Sequence, residues 1–392
     1  MDAVKRLLDD ERGVVLVISL LILTLLIGVG AGTSALVQTD LKISRNLKNG
    51  TQAFYLAEAG VEWAKQHIKD TATNPPYPTG TTRSMSPGTF TVLFKDPTKV
   101  TRLKSTITVQ STGQLGESSS IGQALLTKTY EIADSALGIR GDGLDTRFKG
   151  KSFLVDGRDY DPATQQLVGG AKARFGISVS SLEAKKKVID GLSSQQANHV
   201  VGKGAAAPSV EKTDFLSSAE TARIADGLCN APGVIVQDID SSGTFTISGD
   251  TTYGTRESPG LYCFNGLADS GDRVDIGGNF NGAGIFIVRN ADLVASGSLL
   301  WEGLIIVSGT NVGFRVKGKG DKEIFGSLMI NERGTDDGIR TEEIKLQGAV
   351  KLRYSRSALA NAAELFPLSV LEPIYGSIPS SVGQIYWRSA AE

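Results

Sequence analysis

The sequence predicts an α+β protein: a long N-terminal transmembrane and amphipathic α-helix, then a β-rich head whose C-terminal part carries β-solenoid-like repeats. Three observations predict it. An uncharged apolar run over residues 14–32 continues directly into an amphipathic stretch that reaches Asp70. Glycine is abundant, at 46 of 392 residues, and aromatics are few; that mix suits short strands joined by tight turns. A five-residue block then recurs five times in the last third of the chain.

Composition narrows the function before any motif is considered. The chain exceeds the usual single-core size, so two or three folding units are expected. Basic and acidic residues balance, 41 against 42, which gives no global attraction to nucleic acid. Two cysteines and two histidines are too few for a multi-ligand zinc or iron–sulfur centre.

The run 14–32 spans about 28 Å as a helix, roughly one hydrocarbon core. Its polar residues, Ser19 and Thr24, bond back to their own helix carbonyls and are cheap in lipid. A secretory signal would have a shorter apolar core, a basic front and a small-residue exit. Here Lys5 and Arg6 face Asp2, Asp9, Asp10 and Glu11. Over residues 33–70, Leu36, Ile43, Ala57 and Ala64 share one heptad position, and Leu47, Phe54, Val61 and Ile68 the next. Asn49-Gly50 marks a bend or a melted turn. The Gly28-x-x-x-Gly32 spacing either admits a close helix neighbour in the membrane or reflects tolerance of glycine there.

A short charged leader, a glycine, an apolar run starting at once and one long helix are similar to type IV prepilins. The segment "RGVVLVISLLILTLLIGVGAGTSALVQTDLKISRNLKNGTQAFYLAEAGVEWA" more closely resembles the N-terminal domain of PilX-type minor pilins, and "AFYLAEAGVEWA" is its most specific part. The resemblance covers roughly the first 65 residues. It implies cleavage by a prepilin peptidase after Gly13, leaving Val14 as the new N-terminus. Two departures stand out: Val14 replaces the usual Phe, and Ile18 replaces the usual Glu at the fifth mature position. A charged residue in mid-bilayer costs about 2.5–3.5 kcal/mol on the insertion scale. Pilins keep that Glu because it pairs with a neighbour's N-terminal amine. A subunit with nothing ahead of it loses nothing by Ile18, which suits a minor pilin or the tip pseudopilin of a type II secretion system.

Beyond the helix, residues 73–88 read as a Pro/Gly/Ser-rich linker. The runs "TFTVLF", "LKSTITVQS" and "ALLTKTYEI" predict an antiparallel meander, which in pilins packs on the second half of the long helix. Over 134–232 the pattern is mixed, with short helices at "SLEAKKKVIDGL" and "SSAETARIADGL". In "DGRDYDPAT", Asp156, Asp159 and Asp161 are able to face one another; a weak calcium site and a solvated Asx-turn loop both stay open. Arg140-Gly141-Asp142 is too short a motif to support adhesion.

The blocks "GLYCF" (260–264), "GIFIV" (284–288), "GLIIV" (303–307), "GSLMI" (326–330) and "GAVKL" (348–352) recur every 19 to 24 residues. Their third and fifth columns are always apolar, so these face a shared core. Second strands lie between them ("RVDIGGNF", "DLVASGSLLW", "NVGFRVKG"). Such stacking argues for a solenoid-like array, with a sandwich of long hairpins as the alternative. An extracytoplasmic head sits in an oxidising compartment, where Cys229 and Cys263 form a candidate disulfide. Closing that loop would contribute about 4 kcal/mol on the chain-entropy model.

Enzyme signals do not assemble. Residues 313–320 have a phosphate-loop spacing but lack its Ser or Thr and a following helix. His67 and His199 lack triad partners, and Asp272, Arg273 and Asp275 look like ordinary turn charges. The expected organisation is a leader (1–13), a long helix (14–70), a meander (71–133), a mixed connecting region (134–232), a repeat domain (233–356) and a C-terminal tail (357–392). The expected function is that of a non-enzymatic type IV pilin-like minor subunit in pilus assembly or priming, or in tip adhesion, without a cofactor. Its partners would be other pilins and minor pilins, the prepilin peptidase, the inner membrane and a surface ligand, with no nucleic acid. A permanently anchored extracytoplasmic adhesin or scaffold is the competing class.

Overall fold

A computed structural model describes residues 11–70, 80–141, 146–149, 152–204, 207–268, 270–318, 320–333, 344–378 and 380–390. Residues 1–10 of the expected leader therefore lie outside the described residues.

One α-helix runs unbroken over Glu11–Asp70, about 90 Å at 1.5 Å per residue. No proline occurs within it, so every interior amide has its acceptor. No melted turn occurs at Asn49-Gly50: the helix continues through both residues. A single glycine costs about 1 kcal/mol relative to alanine, too little to break a helix whose following turns are anchored by packing.

That anchor is an antiparallel sheet. Strands Thr81–Met85, Gly88–Thr101, Lys104–Leu115 and Ser118–Tyr130 pair in chain order. The first of these falls within the segment expected to be linker. Burial alternates residue by residue along Lys104–Leu115, as a strand with one face on a helix must. The turn after it uses Gly116 at φ +58°, a conformation glycine adopts without a Cβ clash. The sheet's fifth strand is the end of the chain. Ser380–Ala390 pairs antiparallel with Ser118–Tyr130, Ser380 opposite Tyr130. The expected C-terminal tail is thus built in, and residues 131–379 form an insertion between two neighbouring strands.

The insertion is a stack of parallel strands. Gly260–Asn265, Asn279–Arg289, Ser298–Gly309 and Lys322–Glu332 lie side by side in a twelve-stranded sheet. A six-stranded sheet runs Thr244–Ile247, Arg273–Ile276, Asp292–Ala295, Phe314–Val316, Ile344–Gln347, Thr146–Lys149. These pairings are parallel, which hairpins cannot produce. The block columns align in register: Tyr262, Phe286, Ile305 and Leu328 in the third, Phe264, Val288, Val307 and Ile330 in the fifth. The leading glycines also align, and Gly284, Gly303 and Gly326 have φ of +122°, +135° and +139°. A Cβ on each would strike the carbonyl of the glycine one strand back.

The fifth block departs from this register. In "GAVKL", Val350 and Leu352 pair with Lys322 and Ile324, so the block lies one strand type earlier than the others. The place after "GSLMI" is taken by "SALGI" (Ser135–Ile139): Leu137 pairs with Leu328 and Ile139 with Ile330. The chain therefore lays down one end of the stack first, over residues 135–212. It then crosses to the far end by the helix Ser218–Cys229 and winds back.

Candidate functional site

The long helix divides into two environments. From Val15 to Leu47 its large apolar side chains are bare: Leu36, Ile43 and Leu47 are 67%, 55% and 70% exposed. Within that half the Ser19 hydroxyl donates to the Val15 carbonyl at 2.6 Å, and Thr24 and Thr33 bond back similarly. The helix is long and apolar enough to cross a membrane, and none of the qualifying segment is buried. Gly28 and Gly32 have open space where a Cβ would sit.

From Ala53 onward the same helix is a core element. Val61, Ala64 and Ile68 are buried against Phe90, Val92, Ile107, Val109, Ala124 and Leu126 of the sheet. Each large side chain so buried contributes about 1.5–3 kcal/mol. Of the expected packing residues, Val61 is in this cluster, while Phe54 is half-buried, edge-on to Trp387 at 5.2 Å. Leu47 is not in it. The heptad pattern spans both halves, but only the second half is packed.

Sequence reasoning missed the residues that set the helix against the sheet. A Cβ at Gly113 would strike the Ala53 carbonyl and the Ala57 amide, and one at Gly60 the Ser111 hydroxyl. Glycine within a strand is the usual sign of such close approach. Lys128 is buried and its Nζ donates to the Ile68 carbonyl at 2.7 Å, satisfying an acceptor in the helix's last turn. Burial lowers its ammonium to about 8, against a smaller upward pull from Asp70. Trp387 gave no signal, because its strand is recruited from the far end of the chain.

Charged and aromatic contacts tie this sheet to the stack. Glu131 receives Arg174 and Arg356, and Arg356 also reaches Asp159 at 3.1 Å. Tyr375 packs on Tyr130 at 4.5 Å and its hydroxyl donates to the Arg102 carbonyl at 2.9 Å.

The candidate calcium residues are not brought together. Asp156 accepts from Arg158 and from the Tyr160 hydroxyl, Asp159 from Arg356, and Asp161 from the Ala163 amide and Thr164. Each carboxylate is already satisfied by nearby donors, and no cluster of three metal-ligating side chains occurs among the described residues. Arg140 is wholly buried, bonded to Asp134 at 3.0 Å and Ser178 at 2.9 Å, so it presents no adhesion motif; Asp142 lies outside the described residues. Phe314–Val316, inside the phosphate-loop spacing, is a strand of the six-stranded sheet. His67 stacks on Trp63 and His199 packs near Phe153. Asp272 accepts from the Leu267 amide and Asp275 from Ser296.

Cys229 and Cys263 form a disulfide, with Cα atoms 5.5 Å apart. Cys229 is the last residue of the crossover helix. The second and fourth block columns are covered by helices. Leu304, Ile306 and Met329 adjoin Ile224 and Phe366 around one small cavity. The disulfide therefore pins the helix to the surface it shields.

The PilX N-terminal family matches residues 12–62, the bare half of the long helix and the first part of its packed half. No curated protein matches the chain. Among solved structures, the competence-associated pilin ComZ from Thermus thermophilus is similar at 12% identity and a TM-score of 0.25, over 87% of this chain and 98% of that one.

Proposed function

We propose that the chain is a type IV pilin-like minor subunit, cut after Gly13 by a prepilin peptidase and seated once in the bacterial inner membrane by residues 14–32. The observation that carries this reading is the division of one uninterrupted helix at about residue 50, with its PilX-like segment spanning the boundary. A helix whose first half has no partner among the described residues calls for lipid or other helices around it. In this reading the bare half passes from membrane to a filament core of other pilins. The head, a small sheet bearing a solenoid-like parallel stack, acts in assembly, priming or tip adhesion.

Ile18 supports a minor position. Without a carboxylate at that depth the subunit cannot neutralise the terminal amine of a neighbour, and it avoids about 2.5–3.5 kcal/mol of insertion cost. The test is Gly13→Leu, which puts a bulky side chain at the scissile bond. Intact-mass analysis of membrane fractions should then find only full-length precursor, whereas a Val14 terminus in that variant would refute the cleavage assignment.

A further inference from the structure

The end of the stack farthest from "SALGI" is built differently from its middle. Strand Ile235–Asp238 is the last of the twelve-stranded order, and Thr244–Ile247 is the last of the six-stranded order. Asp250–Tyr253 pairs only with Asn279–Gly282 among the described residues. Among the described residues no strand pairs with the outer edge of any of these three, although the Ser242 hydroxyl bonds both outward backbone groups of Thr244.

The first edge has a defined polarity. The Ile239 amide donates to the Asn265 carbonyl at 2.8 Å. Period-two alternation then directs the amides and carbonyls of Val236 and Asp238 away from the stack. Side chains here also lack cover. Ile235 is 60% exposed, whereas its register successors Tyr262 and Phe286 are 8% and 1% exposed. Among the described residues the Asp238 carbonyl meets only the exposed Gln237 side chain, at 3.1 Å, and such an edge, with outward backbone groups and bare apolar side chains, is a template for another strand.

Charge decides which strand. Asp238, Asp240 and Asp250 are exposed on this turn, and residues 230–255 contain no Lys or Arg. A second copy meeting this end edge to edge would bring like charges together, which disfavours self-pairing. From this we infer that the open turn is a β-augmentation site for an extended partner segment alternating apolar and basic residues. The site stands on the geometry of this end, whether or not the chain enters a filament.

The test uses the full-length protein in a neutral detergent and a fluorescent ten-residue peptide alternating Val and Lys, read by anisotropy. The expected result is saturable binding that weakens with salt, and no binding of the same peptide with Asp in place of Lys. Val236→Pro removes an outward amide while sparing the inner ladder, a position an edge strand tolerates. It should weaken binding about tenfold or more. Asp238→Lys, which leaves the backbone unchanged, should weaken it comparably and serves if the proline variant does not fold. Absence of binding, equal affinity in Asp238→Lys, or equal affinity for the Asp peptide would overturn the site. Self-association in sedimentation that Val236→Pro abolishes would assign the edge to a second copy and overturn it as well.

Discussion

The two halves of the long helix have similar apolar patterning and opposite fates. Leu47 and Val61 occupy the same heptad position two heptads apart; one is 70% exposed and the other 1%. The difference lies in what faces them. The second half meets a sheet that has glycine at Gly113 and small side chains at Ser111 and Ala124, so helix and sheet approach closely. The first half meets no other element among the described residues. An apolar stripe thus states that a surface needs covering and not who covers it. In one half the cover is intramolecular, and in the proposed reading the other half is covered by lipid or other subunits.

The largest effect that sharpens this contrast is at Ile68, fully buried at the foot of the packed half. Ile68→Ala should destabilise the small sheet by about 3 kcal/mol, within the usual range for a buried isoleucine. Leu47→Ala should leave stability unchanged within about 0.5 kcal/mol. Hydrogen exchange of residues 88–130 in detergent reads both, and equal effects would erase the distinction between the halves. Next is Gly113→Ala, whose Cβ meets backbone that cannot rotate away. An expected loss of about 2 kcal/mol, measured the same way, should spare the parallel stack, which has a separate core.

The last effect, no larger than the previous one, is a pH dependence. Folding lowers Lys128 to about 8 from an ordinary 10.5. Between those values the unfolded chain holds a proton that the folded chain lacks, so this residue's contribution rises with pH across about 8 to 10. Relative to Lys128→Met, wild-type stability in urea should improve by about 2 kcal/mol over that window, one proton across two pH units. A constant difference from pH 7 to 10 would show that burial of the ammonium is not felt.

Much of this was legible because local patterns are short-ranged. The apolar run, the alternation in "LKSTITVQS" and the glycine-led blocks each report on neighbours in sequence, and each corresponds to an element found. What sequence order concealed is the winding. "SALGI" takes its place in a row of blocks whose other members begin more than a hundred residues later, and it lacks the leading glycine that made those blocks visible. "GAVKL" has the right letters but pairs off register, because Gly348 does not sit at the crowded corner that Gly326 occupies. Likewise nothing in "SSVGQIYWRSA" announces that it joins a sheet begun at residue 81. The three aspartates are close in sequence, but Asp156 is held by Arg158 and Tyr160, Asp159 by the distant Arg356, and Asp161 by its own turn.

The central claim is that the bare half of the helix becomes covered by other subunits after processing. Its most direct measurement is mass spectrometry of sheared, purified filaments against the inner-membrane fraction, with subunits quantified and N-termini sequenced. The account predicts peptides of this chain in filaments, beginning at Val14 and far scarcer than the main pilin. Finding the protein confined to the membrane with residues 1–13 intact, or as the dominant filament subunit, would contradict it.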